Sequence, residues 1–400
     1  VISNEMYSIK DDTYVQKQSL PWAALLALAM AGFICILTES LPAGLLPQIA
    51  MGLGITQAKA GQLVTLYAAG SLVAAIPLTV ATRGWRRRPL LLLCIIGFLL
   101  FNTVTALSSV YVITLIARFC AGVAAGVLWG MTAGYARRMV PESLKGKAIA
   151  VAMAGTPLAL ALGVPIGTFF GTYVSWRLIF GTISILTLAL IVWVFWKVPD
   201  YEGEVKQNQL SLHKILFLPG IRPILFVVLA WVLAHNILYT YISPFLENTA
   251  LAHRVDLILL LFGVTSVVGI WIIGLLIDRY LRILVLLSVA IFAFASAAMA
   301  IWSNQPAVII IGVIAWGLTF GGAATLLQTA IAHAGGRSAD IAQSMLVTAW
   351  NLGIGAGGMV GAILLHWSGA RFLPGSLVIL LFIALLITLY SKKHGFPSSP

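Results

Sequence analysis

The stretch 22–47, WAALLALAMAGFICILTESLPAGLLP, decides the fold. From Trp22 to Leu37 it carries no charged side chain. As a helix rising about 1.5 Å per residue it spans the ~30 Å hydrocarbon core of a bilayer. Glu39 stands near its end, the one acidic residue of the chain's twelve that falls well inside a hydrophobic span. An ionisable group at membrane depth costs free energy that packing alone does not require, so it marks a functional position. Pro42 and Gly44 follow one turn later and loosen the helix.

Working outward, the same pattern repeats. The chain has 400 residues, 60% of them hydrophobic and only 9% charged, where soluble chains are about 25% charged. Apolar runs of helical length predict spans at 22–47, 59–81, 89–107, 111–137, 146–171 and 177–197, then 222–246, 255–277, 283–302, 307–333, 340–366 and 374–391. The expected fold is an all-α polytopic membrane protein of twelve helices in two pseudo-symmetric six-helix bundles.

Lys and Arg set the orientation. With both ends cytoplasmic, nineteen of the 24 fall in inside segments, four (Lys59, Arg177, Arg254, Arg371) fall outside, and Arg118 lies within a span. One missed helix would scramble this alternation. The domain reading is a cytoplasmic N-terminal segment 1–21, a bundle 22–197, a cytoplasmic loop 198–221, a second bundle 222–391 and a cytoplasmic tail 392–400. Leu210 to Phe217 in the loop is amphipathic and is expected to lie on the inner membrane surface.

The net charge of +12 does not signal nucleic acid, because the basic residues sit in short clusters beside apolar spans and not along one polar face. The polar first twenty residues and the long apolar run behind them are not the layout of a cleaved signal sequence. Cys35, Cys94 and Cys120 lie in apolar runs without metal-ligand spacing. Gly353-Ile354-Gly355-Ala356-Gly357-Gly358 satisfies a dinucleotide fingerprint in letters only, since no strand precedes it. No nucleotide loop, metalloprotease or serine-hydrolase motif is present, so neither an enzyme nor a cofactor or metal is expected.

Small residues recur at every fourth position: Gly122, Gly126, Gly130 and Gly134 after Arg118; Gly155, Ala159, Gly163, Gly167 and Gly171; Gly317 and Gly321; and Ala349, Gly353, Gly357 and Gly361. Such ridges let helices approach closely in lipid, either as static packing or as sliding surfaces. Gly155 and Gly163 recur as Gly353 and Gly361 at one constant offset, a weak internal repeat. Pro157 and Pro165 add bends.

Glu39 and Arg118 both fall in the outer half of the membrane, where they can pair if helices one and four are neighbours. Either a permanent ion pair or a titrating switch follows, because burial and a nearby cation shift a carboxylate in opposite directions. Trp129, His235, Asn236, Tyr239, Trp316, Gln328 and Asn351 place polar or amphipathic groups near mid-membrane and, with Glu39, form the candidate substrate set.

On these residues the chain resembles the major facilitator superfamily over nearly its whole length. More narrowly it resembles twelve-helix drug:proton antiporters, in the branch with sugar-, purine-nucleoside- and chloramphenicol-efflux proteins. The matching stretches are Thr38 to Pro47, Ala60-Gly61-Gln62-Leu63-Val64-Thr65, Arg118-Phe119-Cys120-Ala121-Gly122, Trp176-Arg177 and Asn351-Leu352-Gly353-Ile354-Gly355. The resemblance implies bundles rocking about a cavity lined by helices one, four, seven and ten. It also implies proton coupling through Glu39, and Arg118 matches the family's fourth-helix arginine.

Two stretches depart from the pattern. Thr79 and Arg83 stand where the loop after helix two has glycine and aspartate, while Asp278 and Arg279 keep the corresponding latch in the second half. Gly163-Val164-Pro165-Ile166-Gly167 only approximates the antiporter motif of helix five. With Pro42, these glycines, Pro165, Asp278 and Arg279 are the expected gating residues.

The expectation is a proton-coupled exporter of small amphipathic solutes, working as a monomer in the bacterial inner membrane with both termini cytoplasmic. A proton symporter importing a sugar or nucleoside, and a non-transporting membrane scaffold, are the alternatives.

Overall fold

The computed structural model describes residues 20–75, 77–82, 84–141, 144–203, 212–336 and 339–396, apart from the side chains of 79, 80, 145, 146, 212, 213, 278 and 339–341. The first half contains α1 (Trp22–Gly44), α2 (Gln57–Ala75), α3 (Arg87–Leu107), α4 (Tyr111–Arg138), α5 (Lys147–Phe170) and α6 (Trp176–Lys197). The second half contains α7 (Ile221–Thr240), α8 (Val255–Ile277), α9 (Arg279–Ile301), α10 (Pro306–Gly335), α11 (Ala339–Trp367) and α12 (Leu373–Tyr390). All but α2 are long and apolar enough to cross a membrane by composition alone. Gln57, Lys59, Gln62, Thr65 and Ser71 dilute α2, whose neighbours α4 and α11 cover much of its surface.

Several spans break where a single helix is expected. α1 stops at Gly44, and a short helix Leu46–Leu53 starts with Pro47 in its first turn, a position that needs no N–H. α7 stops at Tyr241 (φ −110°, ψ 27°), and Ile242–Glu247 continues as a separate helix. α10 breaks at Gly322, between Pro306–Gly321 and Ala323–Gly335. α8 and α9, expected as two spans, are divided by the non-helical backbone of Tyr280. Within α5, Ala159–Gly163 is a π-helix, so the bend falls one turn before Pro165.

The glycine ridges explain how the halves are built. A methyl group added at Gly122 or Gly126 would strike backbone of α2 at Tyr67 or Ser71, and one at Gly155 would strike the Ala29 carbonyl of α1. In the second half Gly317 and Gly321 meet α8 at Phe262 and Ser266, while Gly353, Gly357 and Gly361 meet α7 at Val232, Asn236 and Tyr241. Thus α4 packs on α2 as α10 packs on α8, and α5 packs on α1 as α11 packs on α7. Without a hydrophobic force between helices in lipid, such backbone-to-backbone contact holds them together. These ridge positions are therefore packing surfaces within each half, whereas Gly134 at the end of the first ridge faces open space. Contacts between the halves use other positions: Gly355 and Gly358 of α11 face Ala68 and Thr65 of α2, and Gly263 of α8 faces Leu160 and Ala161 in the π-helix.

The end remote from Trp22 and Tyr390, here called outer, is sealed. Leu41–Leu46 and Ala234–Leu246 are buried without interruption. Ser243 Oγ donates to the Ala43 carbonyl (3.3 Å), and Tyr241 Oη to the Gly358 carbonyl (2.7 Å), which Gln62 also reaches. Farther out, Gln57 Nε2 donates to Glu247 Oε2 (3.3 Å) beside a surface cavity of about 380 Å³.

Candidate functional site

Glu39 lies on α1 immediately inside this seal and is partly exposed, whereas Arg118 on α4 is fully buried. Nε of Arg118 donates to the Leu63 carbonyl and Nη2 to the Glu39 carbonyl, both at 3.3 Å. Its guanidinium lies over the rings of Tyr67 (4.8 Å) and Phe180 (5.8 Å). Helices one and four are thus neighbours at this level. They meet through a backbone oxygen, and among the described residues the Glu39 carboxylate forms no ion pair within 4.0 Å. Carbonyl dipoles and π faces take up part of the arginine's charge, and the two charged side chains act on each other without an ion-pair contact.

Two further side chains hold this turn, and neither belongs to the set expected from sequence. Asn102 of α3 donates from Nδ2 to Thr38 Oγ1 (2.9 Å), and Tyr67 of α2 donates to the Cys35 carbonyl (3.1 Å). An asparagine alone in the apolar run of α3 is the signal that could have found the first.

On the second half, aromatic residues gather around His235. Its ring stacks on Phe320, with centroids 3.5 Å apart and planes 4° apart, and on Tyr239 at 5.2 Å. Trp316 donates its indole N–H to His235 Nδ1 at 3.1 Å, so Nδ1 is an acceptor and the ring's N–H is on Nε2. Phe262 lies 4.3 Å from Trp316 between ring centroids, and the Trp350 ring lies tilted against Phe320 with centroids 6.0 Å apart. Phe262 and Phe320 escape a search for polar groups because nothing marks a phenylalanine in an apolar helix. The Tyr239 hydroxyl is buried without a partner among the described residues and is close enough to Glu39 for the two groups to interact electrostatically. It links the acidic turn of the first half to the aromatic cluster of the second.

The other candidates are placed differently. Asn236 and Asn351 spend an amide hydrogen on their own helices, at Val232 O and Val347 O (2.9 Å each), and Asn236 packs against Gly357. Trp129 faces Gly32 of α1 at 3.5 Å, measured to a methyl group built there. Gln328 is exposed, its carbonyl accepting from Gln343 Nε2, and it makes none of the ring contacts of the cluster. Pro42 lies inside α1, while Gly163 and Gly167 abut Leu37 and Leu41 of α1. Arg279 is exposed; the side chains of Thr79 and Asp278, and Arg83 altogether, lie outside the described residues.

The basic turn between α2 and α3 is engaged from the other end of its own half. Asp200 accepts from Arg86 Nε (2.6 Å) and from the Arg88 backbone N–H (3.0 Å), while Arg87 N–H donates to the Tyr201 carbonyl (2.8 Å). Tyr135 and Arg138 of α4 bind the carbonyls of Pro199 and Glu202. Partial burial opposes ionisation of Asp200, but the Arg88 N–H and the Arg86 guanidinium prevail and hold its carboxyl below the ordinary range. The second half has a counterpart: Arg282 binds the carbonyls of Thr388, Leu389 and Phe396, folding the segment after α12 back under the bundle.

Paired six-helix halves meeting at α2–α11 and α5–α8, with a charged turn and an aromatic wall beneath a sealed mouth, define a membrane transporter. Residues 28–339 match the model of the Major Facilitator Superfamily, and the chain belongs to that family. It is a transporter and not an enzyme. A bacterial homologue of the human lysosomal transporter Spinster, solved in an inward-facing and unoccupied conformation, is similar to it in fold. The TM-score is 0.71 at 14% identity, over 94% of this chain and 98% of that one. The human organic anion transporter MFSD10 (TETRAN) is similar too, with a TM-score of 0.64 at 16% identity over 92% and 97% of the two chains.

Proposed function

We propose that this transporter exports small amphipathic solutes in exchange for protons that load on Glu39, as drug:proton antiporters do. The observation that carries the reading is the carboxylate itself: partly exposed, free of an ion pair, directly beneath the closed outer mouth, and within electrostatic reach of Tyr239 at the edge of the aromatic cluster. A carboxylate so placed exchanges its proton with whichever side the cavity faces, and rocking of the halves alternates that side. The rings of His235, Tyr239, Trp316, Phe320 and Trp350, packed on one another in the closed state, together with Trp129 of α4, suit a solute having an apolar ring and a few polar groups once the halves part. Pro42, the π-helix that ends at Gly163, Pro165, Gly167 and the turn at Asp278 and Arg279 are the bending points. The basic segments face the cytoplasm in a bacterial inner membrane, and one chain suffices for transport.

The test is substrate-driven proton release in inverted vesicles, read with a pH-sensitive dye while antibiotics, sugars and nucleosides are screened. Release by the parent and none by Glu39→Gln is the expected result. Full release by Glu39→Gln overturns the reading, and accumulation in intact cells under an outside-acid gradient reverses its direction to import.

A further inference from the structure

The turn of α1 that carries Glu39 is the least supported of that helix by its own backbone. Pro42 has no N–H, so the Thr38 carbonyl lacks the helical donor it would otherwise receive. The next carbonyl, that of Glu39, is drawn to Arg118 Nη2 at 3.3 Å. What holds the turn from the opposite wall is Asn102, whose Nδ2 donates to Thr38 Oγ1 at 2.9 Å. Asn102 and Thr38 are both 0% exposed. Successive helical residues point about 100° apart, so anchoring the side chain of Thr38 sets where Glu39 points.

The clamp also has unspent bonds. Asn102 Oδ1, an acceptor, and Arg118 Nη1, a donor, are buried without partners among the described residues. A leucine in place of Asn102 would avoid an unpaired buried oxygen, which is costly in such a setting. A side chain kept there only for packing does not need this polarity, whereas one that must hold and release a turn does.

We propose that Asn102 is a positioning residue for Glu39, fixing the rotation of the acidic turn through Thr38 and thereby setting the carboxyl's proton affinity. This rests on the proton-loading reading of Glu39. Among the described residues, the titratable and charged groups in electrostatic reach of Glu39 are Arg118 from α4, Tyr67 from α2, Tyr239 from α7 and Cys35 of α1 itself. A change in rotation alters its distance to all four.

The experiment is an infrared pH titration of the full-length protein in lipid, with no substrate required. The Glu39 signal is the carboxyl C=O band lost in Glu39→Gln. Asn102→Leu and Thr38→Val should each move its midpoint by about half a pH unit or more, a roughly threefold change in proton affinity. The double variant should move it no further than either single one, because both act through the same bond. Thr38→Ser, which keeps the hydroxyl, should restore the parent midpoint. If Asn102→Leu fails to fold, the Thr38→Val and Thr38→Ser pair carries the test alone. Unmoved midpoints in folded variants, or strictly additive shifts, overturn the positioning role. Absence of any titrating band lost in Glu39→Gln overturns instead the reading on which it rests.

Discussion

Arg118 meets Glu39 at the backbone carbonyl, 3.3 Å from Nη2, and among the described residues the carboxylate has no ion pair. Two charges near one another in sequence-derived depth thus play separate roles. The arginine ties α1 and α2 to α4, and the acid stays available. A structural ion pair and this arrangement differ in what neutralising the acid does to stability. Glu39→Gln should leave the thermal midpoint near that of the parent, because the carbonyl bond survives. Arg118→Ala should lower stability by about 2–5 kcal/mol, through lost packing and stranded buried carbonyls. Thermal unfolding in detergent measures both, and a large loss in Glu39→Gln would show that the carboxylate is a structural partner.

His235 and Trp316 are joined by one hydrogen bond inside an aromatic stack. Trp316→Phe keeps a ring but leaves Nδ1 unpaired in a buried site, at a cost of about 1–3 kcal/mol. His235→Phe in the same background should recover part of that loss. A double-mutant cycle on thermal stability reads the coupling, and strictly additive losses count against the bond.

Gly155 and Gly355 lie on different kinds of surface. A methyl group at Gly155 meets the backbone of α1, whereas at Gly355 its nearest neighbour is the Ala68 side chain at 3.6 Å. Gly155→Ala should destabilise the first half by about 1–3 kcal/mol, while Gly355→Ala should fold as the parent does. Monodispersity and the unfolding midpoint distinguish them, and equal tolerance at both sites would contradict the difference between close packing within a half and looser contact between the halves.

Asp200 ties the end of α6 to the turn before α3, and its folded proton affinity is lowered. A group of this kind contributes its full stabilisation above its unfolded value of about 3.9 and loses it as pH falls through the lower folded value. Asp200→Asn should therefore unfold slightly earlier than the parent at neutral pH, and the gap should close in acid below about pH 4. With Arg86 largely exposed the effect is small. A gap that widens in acid would reverse the sign.

How much of this was legible beforehand differs from residue to residue. Apolar length and the alternation of Lys and Arg led to twelve spans without any contact information, because a bilayer demands about twenty apolar residues per helix and sorts cations by side. The four-residue ridges were visible as well, but not their partners: period alone cannot tell which neighbour a ridge meets. Glu39 stood out because a charge in an apolar run is rare. Asn102, Phe262 and Phe320 did not enter the site, since their importance lies in what faces them. Gln328 did enter it, on polarity alone, and the structure leaves it exposed and apart from the cluster's ring contacts.

Hydropathy and charge act locally along the chain, and so the residues alone imply a membrane-spanning twelve-helix protein with one acid in its first helix. Only the tertiary structure decided that Arg118 spends its bonds on carbonyls, that Asn102 reaches Thr38, and that the outer mouth is shut above Glu39. Those outcomes depend on side chains from different helices meeting in three dimensions, and no spacing within one helix encodes them.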